Sequence, residues 1–252
     1  MNRFKTGLTS VTFRQKSTDE IIAMAKKAGL AGIEWGGDIH VPAGEVKTAA
    51  ETARKTHCAG LEVLSYGSYY HGDKEEDFTA VLASAKALGA PVIRVWAGRK
   101  TFEESTPEEF AALAARFYKA ASAAQKDGIA VAFEYHRGTA TQTINGALAL
   151  LRAIDHPNIY CYWQPNPDIT HAEQLAEIDA LLPFLQNVHV FCWTEGNERH
   201  PLSEGMKRWE DYVSHIRKSG KSHCLILEFV KDDSDSAFYE DSEFLNKLAA
   251  ER

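Results

Sequence analysis

The sequence is short of the features that mark several large classes of protein. Four cysteines, Cys58, Cys161, Cys192 and Cys224, are spread through 252 residues with no CxxC pair among them. Three of them fall within strand-like runs, so buried, reduced thiols are the plain reading. Basic residues are outnumbered, with 28 Lys and Arg against 35 Asp and Glu and a formal net charge of −7. A general nucleic-acid binder needs a basic surface to neutralise phosphates, which sets that class aside. A small anionic substrate needs only a local basic pocket and is not excluded. No run approaches the roughly 18 apolar residues of a membrane span, and the opening MNRFKTGLTSVTF lacks the apolar centre of a signal peptide. The expectation is a soluble, cytoplasmic enzyme with no membrane partner. Neither GxGxxG nor a Walker pattern follows the first strand, which removes the main reason to expect a dinucleotide or nucleotide fold. There is no low-complexity stretch and no linker.

What is present is a regular alternation of strand and helix signals. Strands are expected at Gly7–Phe13, Gly32–Trp35, Leu61–Tyr66, Pro91–Trp96, Ile129–His136, Ile159–Trp163, Val188–Trp193 and Cys224–Phe229. Helices fall between them, opened by caps such as Ser17-Thr18-Asp19-Glu20 and Thr106-Pro107-Glu108-Glu109 and closed by glycines such as Gly29 and Gly89. The connection after the seventh strand, TEGNERHPLSEG, reads as a long loop. Eight strand–helix units of roughly 30 residues need a parallel sheet, and eight of them in about 250 residues favour a closed barrel. The expected fold is therefore α/β, a (β/α)8 barrel with residues 1–252 as a single domain.

The stretch IAVAFEYH, residues 129–136, carries the functional signal. Side chains alternate along a strand, so Glu134 and His136 share one face. Three later strands each add a metal-competent side chain: Gln164 in NIYCYWQ, His189 in NVHVFCW and Glu228 in SHCLILEFV. Active sites of such barrels lie at the C-terminal strand ends. Two carboxylates, an imidazole and an amide oxygen form a mixed shell suited to one divalent Mn, Mg, Co or Zn ion. Around them, Arg94 and Trp96 alternate on the fourth strand, with Arg94 open to substrate binding, to orienting Glu134 or to a plain ion pair. His40, Glu34 and His71 are further candidates to line the pocket. Trp35, Tyr66, Tyr69, Tyr70 and Trp193 offer rings to stack on a sugar or to pack beneath loops. Arg199 and His200 offer charge to a phosphate or carboxylate.

The EYH ending of the fifth strand, the HV of the seventh and the ILE of the eighth, with GIEWGGDIHV and IRVWAG in support, resemble the xylose isomerase-like TIM barrels. The resemblance covers essentially the whole chain. In the epimerases of that family two glutamates, an aspartate and a histidine hold one divalent metal. It therefore implies Glu134, His189 and Glu228 as ligands, with the aspartate position falling on Gln164. That departure lowers the shell from three negative charges to two. The position of a second histidine, three residues later, is Pro167, unlike the multi-metal sets of endonuclease IV-like members. The family also implies a small carbohydrate substrate and, by analogy, a homodimer. Its chemistry implies a metal-dependent isomerase or epimerase of a keto sugar or derivative, acting through an enediolate with Glu134 and Glu228 as base and acid. Two alternatives stand beside it: a lyase or dehydratase acting on a keto-polyol or keto-glycoside, and a non-catalytic sugar-binding barrel.

Overall fold

A closed barrel of eight parallel strands forms the centre of the molecule, in a computed structural model that describes residues 4–250. The barrel strands are β1 Phe4–Thr9, β2 Gly32–Gly36, β3 Glu62–Gly67, β4 Val92–Val95, β5 Ala130–Phe133, β6 Ile159–Trp163, β7 Leu185–Val190 and β10 His223–Leu227. β10 pairs with both β7 and β1 and closes the ring. Eight helices cover it: α1 Thr18–Lys27, α2 Val46–Cys58, α3 Phe78–Leu88, α4 Pro107–Gln125, α5 Ile144–Ile154, α6 His171–Leu181, α7 Met206–Arg217 and α8 Asp235–Ala250. Reciprocal capping boxes start α1 (Ser17 with Glu20) and α4 (Thr106 with Glu109), as the local sequence implies. Gly89 ends α3 at φ 69°, a conformation that a side chain would oppose.

Alternation along the strands builds two cores. Outward residues such as Ile93, Val131, Phe133, Trp163, Val188 and Leu225 join the helices in one large buried cluster. Inward residues Leu64, Val92, Ala132, Tyr162 and Ile226 form a second, smaller cluster inside the barrel. Each fully buried large side chain contributes roughly 1.5–3 kcal/mol relative to exposure. The inner cluster is the floor on which the site rests, because on four of these strands the next inward position is polar. Val92 is followed two residues later by Arg94, Ala132 by Glu134, Tyr162 by Gln164 and Ile226 by Glu228.

Several boundaries differ from the sequence expectation; the fifth strand stops at Phe133, so Glu134 and His136 lie just past its end rather than within it. The first strand begins at Phe4 and stops at Thr9, and Ser10–Phe13 is a 3-10 turn despite its β-branched residues. Its hydroxyls serve distant backbone: Gly36 N–H, at the end of β2, donates to Ser10 Oγ (2.8 Å) and Phe229 N–H, past the end of β10, to Thr12 Oγ1 (3.1 Å). The seventh strand starts at Leu185 and ends at Val190, which puts His189 at its C-terminal end. Cys192–Trp193 leaves the barrel and, as β8, pairs antiparallel with β9, Arg199–His200, so the expected loop contains a short hairpin. The cysteines stand free, with Cys161 buried and Cys58, against expectation, exposed at the end of α2. Among the described residues no helix is long and apolar enough to cross a membrane.

Candidate metal and substrate site

The site is assembled where two irregularities in strand register meet the alternation. Between β6 and β7 the pairing passes from Cys161↔Leu185 to Trp163↔Val188, so β7 carries one extra residue. A one-residue slip exchanges the two faces of a strand, and here it brings His189 beside Gln164, with Nδ1 3.0 Å from Gln164 Oε1. Between β2 and β3 a second irregularity sets Glu34 opposite Ser65, whose hydroxyl donates to Glu34 Oε2 at 2.6 Å. Bulges of this kind commonly re-aim side chains next to active sites.

His189 is the centre of the cluster and is fully buried. Its Nδ1 faces Glu228 Oε2 at 3.4 Å and Glu134 Oε1 at 3.7 Å. Its Nε2 lies 3.1 Å from Glu34 Oε1, across the barrel on β2. Arg94 closes the arrangement, with Nη1 2.7 Å from Glu134 Oε2 and Nε 3.9 Å from Glu34 Oε1. Burial alone would lower the His189 pKa, but Glu228 and Glu34 outweigh it and hold the imidazole well above its usual range. Burial alone would raise the Glu34 carboxyl, yet His189, Arg94 and Ser65 hold it down to about 2. Glu228 is likewise held low against burial, chiefly by His189.

The donor atoms of Glu134, His189 and Glu228 lie within 4.8 Å of one another, a separation compatible with one shared ion held at about 2.0–2.3 Å. The charge fits as well. Glu34, Glu134 and Glu228 set against Arg94 leave two negative charges when His189 is neutral, which a divalent cation would cancel. In that state Nε2–H donates to Glu34 and Nδ1 is free to ligate, the carboxylate–histidine–metal relation in which an outer carboxylate fixes the tautomer. A second group, His71, Asp73 and Glu76, has similar spacing. Arg99 already fills it, reaching Asp73 at 2.6 Å, His71 Nδ1 at 3.0 Å and Glu76 at 3.4 Å.

The structure distributes the other sequence candidates unevenly. Arg94 is buried within the carboxylates rather than presented to a ligand. Trp96 stacks on His136 with ring centroids 4.2 Å apart, and His71 makes an edge contact with it at 5.1 Å. Trp193 stacks on Phe191 at 4.3 Å. Arg199 pairs with Asp233 at 2.5 Å and lies 4.8 Å from the Phe229 ring, so its charge is already compensated. Tyr66 belongs to the helix-facing core and donates to Val41 O, which places it outside the site. His40 is also elsewhere, its Nε2 3.0 Å from Lys16 O and its ring against Trp35. Trp35 itself is fully buried and donates to Thr56.

A cleft of roughly 190 Å³ opens beside this cluster, and of Glu134, Gln164, His189 and Glu228 its lining includes Gln164 alone. His136 lines one side and Phe191 and Trp193 line another, with Arg137, Gln142, Asn166 and Asn197 among the remaining lining residues. The last four carried no sequence signal, since they stand on loops whose spacing follows no period. Tyr135, between Glu134 and His136, also contributes to the lining, while its hydroxyl donates to Glu177 of α6 at 2.5 Å and anchors this strand end.

The sequence profile of the xylose isomerase-like TIM barrel matches residues 22–248. The chain belongs to that family. A curated 3-dehydroshikimate dehydratase of Bacillus anthracis is 23% identical over an alignment of 261 positions, covering 89% of this chain and 90% of the relative. The crystal structure of the probable 3-DHS dehydratase of the same organism, 19% identical, superposes with a TM-score of 0.82 over 96% of this chain and 98% of that one. A D-allulose 3-epimerase from Methylomonas sp. gives 0.76 at 15% identity, covering 98% and 99%. A family member from Mycobacterium smegmatis, solved in complex with magnesium, gives 0.74 at 14% identity, covering 97% and 96%. Dehydratase and epimerase thus occur on the same barrel, and at these identities the structural likeness establishes the fold alone.

Proposed function

We propose that the protein is a divalent-metal-dependent isomerase or epimerase of a keto sugar or sugar derivative. The observation that carries this reading is the buried convergence of Glu134 and Glu228 on the Nδ1 side of His189, with the opposite ring nitrogen held by Glu34. Glu134, His189 and Glu228 would hold the ion, with Gln164 Oε1 as a neutral fourth donor. A bound divalent ion would supply Lewis acidity, polarising a substrate carbonyl and making the adjacent C–H acidic enough to leave an enediolate.

The chain's own residues then handle the proton. One carboxylate removes it from the carbon next to the carbonyl, and the other returns a proton to the opposite face. Return to the same carbon inverts it, and return to the former carbonyl carbon moves the carbonyl. Arg94 engages Glu134 Oε2 and leaves Oε1 turned toward the cluster centre, so the guanidinium orients a reacting carboxylate rather than the substrate. His136, stacked on Trp96 and bonded to Arg137 O (2.7 Å) through Nδ1, would donate to a substrate oxygen.

The likeness to a 3-dehydroshikimate dehydratase favours a second reading, in which the same proton abstraction expels a β-hydroxyl and the acid carboxyl protonates that hydroxyl so that it leaves as water. The test begins with elemental analysis of wild type and His189→Ala, then incubation of the Mn²⁺-loaded protein with keto sugars in D₂O. The proposal expects about one ion per chain, lost in the variant, and solvent deuterium in a product of unchanged composition. Product lighter by one water would establish the dehydratase instead. Neither metal nor deuterium exchange would overturn both.

A further inference from the structure

Besides Gln164, three carboxamides line the cleft, and all three are held in one sense. Gly138 N–H donates to Gln142 Oε1 at 2.8 Å, Asp168 N–H to Asn166 Oδ1 at 3.1 Å and Arg137 Nη1–H to Asn197 Oδ1 at 2.9 Å. Because each partner is a donor, the atom it meets must be the amide oxygen. The three NH₂ groups take no partner among the described residues. Arg137, the one cation of the lining, has its other nitrogen 2.8 Å from Asp168 Oδ2 and is already neutralised. The stacked pair Phe191 and Trp193 supplies an apolar face to the same space.

An amide NH₂ donates to hydroxyl, ether and carbonyl oxygens without supplying net charge. A phosphate or carboxylate entering a partly buried cleft loses hydration that a free cation would need to replace. Alternating oxygens and exposed C–H faces, the pattern of a sugar, suit amide donors beside an aromatic surface. At roughly 190 Å³ the space lies below the ~300–1,000 Å³ usual for drug-sized ligands, a scale appropriate to a monosaccharide.

We propose that this cleft recognises the non-reacting part of an uncharged polyhydroxy ketone, with Gln142, Asn166 and Asn197 donating to its oxygens and Phe191–Trp193 covering its C–H face. The inference rests on the keto-sugar reading above and narrows it, excluding sugar phosphates and ring carboxylates as preferred substrates.

The experiment is a binding titration of the full-length protein, read by tryptophan fluorescence because Trp193 is part of the wall. The probes are D-fructose, D-allulose, D-tagatose and D-sorbose, set against D-fructose 6-phosphate and 3-dehydroshikimate. Gln142→Glu and Asn166→Asp keep the oxygen that accepts the protein's own N–H and replace only the free NH₂ by an anionic oxygen. The expected result is binding of at least one neutral ketose more tightly than either anion, weakened about tenfold in each variant, the equivalent of about 1.4 kcal/mol. Three results would overturn the inference: an anion bound more tightly than every neutral ketose, no neutral ketose bound, or affinity unchanged in both variants. Binding is scored separately from deuterium exchange. A neutral ketose that binds through the amides but exchanges no deuterium would therefore sink the catalytic reading and leave the recognition site standing.

Discussion

Replacing Glu34 with glutamine isolates the part played by the outer carboxylate. Glu34 is fully buried, accepts from Ser65 at 2.6 Å and faces His189 Nε2 at 3.1 Å. Glutamine has the same shape but only one acceptor oxygen. If Ser65 takes that oxygen, the amide NH₂ is left facing Nε2–H, donor against donor. The imidazole can relieve this by moving its proton to Nδ1, the nitrogen turned toward Glu134 and Glu228, where it blocks a metal. The substitution also removes one of the two negative charges that a divalent ion would cancel. Loss of such outer partners typically weakens metal binding or activity 10–100-fold, about 1.4–2.8 kcal/mol. Calorimetric titration of metal-free wild type and Glu34→Gln with Mn²⁺ at pH 7.5 measures this directly. Ser65→Ala serves as a control, since it leaves the charge and the histidine contact in place. The expected order of affinity is wild type, then Ser65→Ala, then Glu34→Gln by at least tenfold. A folded Glu34→Gln protein that binds Mn²⁺ within twofold of wild type would refute the tautomer argument.

Three further outcomes follow from the same geometry. Arg94→Met leaves Glu134 and Glu34 buried without their shared cation, a change that costs about 3–5 kcal/mol when one partner of a buried pair is removed; calorimetry should show the melting temperature falling by roughly 10 °C. Gln164→Asp adds a charged oxygen beside His189 Nδ1 and should tighten Mn²⁺ binding by an order of magnitude or more, whereas unchanged affinity would mean this position faces no ion. Asp241 on α8 is buried where it accepts from Leu202 N–H, and burial raises its carboxyl from 3.8 to about 6. The charged form is disfavoured in the folded state, so Asp241's own contribution to stability is greatest below pH ~4, declines up to about pH 6 and is flat above. Asp241→Asn, which keeps an oxygen for Leu202, should therefore gain up to about 2–3 kcal/mol at pH 7.5 and nothing near pH 3.5, as read from melting temperatures at the two pH values.

The fold was largely legible because hydrophobic period and cap chemistry are local. Ser17 with Glu20 and Thr106 with Glu109 signal helix starts within four residues, and the strand pattern of Ile159–Trp163 matches the observed strand end to end. Local reading failed where distant groups decide. Ser10–Phe13 has strand-like residues, yet its hydroxyls are recruited by Gly36 and Phe229, which no window contains. The polar Gln186 and Asn187 hid the start of β7, although Asn187 is buried and donates to Tyr162 OH at 2.9 Å inside the barrel. At the site, the strand-end polar residues could be picked out singly. The Glu34–His189 contact joins residues 155 apart and exists only because the barrel closes. Nor does sequence reveal that Arg94 and Arg199 are each neutralised by an acid, which is the fact that changes their chemistry.

The alternation that separates the inner cluster from the helix-facing core has a bearing on how such a protein can change. Each strand end carries a stability position and a chemistry position as immediate neighbours, Phe133 beside Glu134, Trp163 beside Gln164 and Leu227 beside Glu228, turned to opposite sides of the sheet. Selection can therefore rewrite the inward letter while the outward one goes on holding a helix. A saturation-mutagenesis map scored for folded protein alone should show this at Trp163 and Gln164, with intolerance at the first and far wider tolerance at the second, whereas Glu134 and Glu228 stay constrained by the buried charges of Arg94 and His189. The barrel is in that sense a reading frame of two, with one phase conserving the container and the other free to explore reactions.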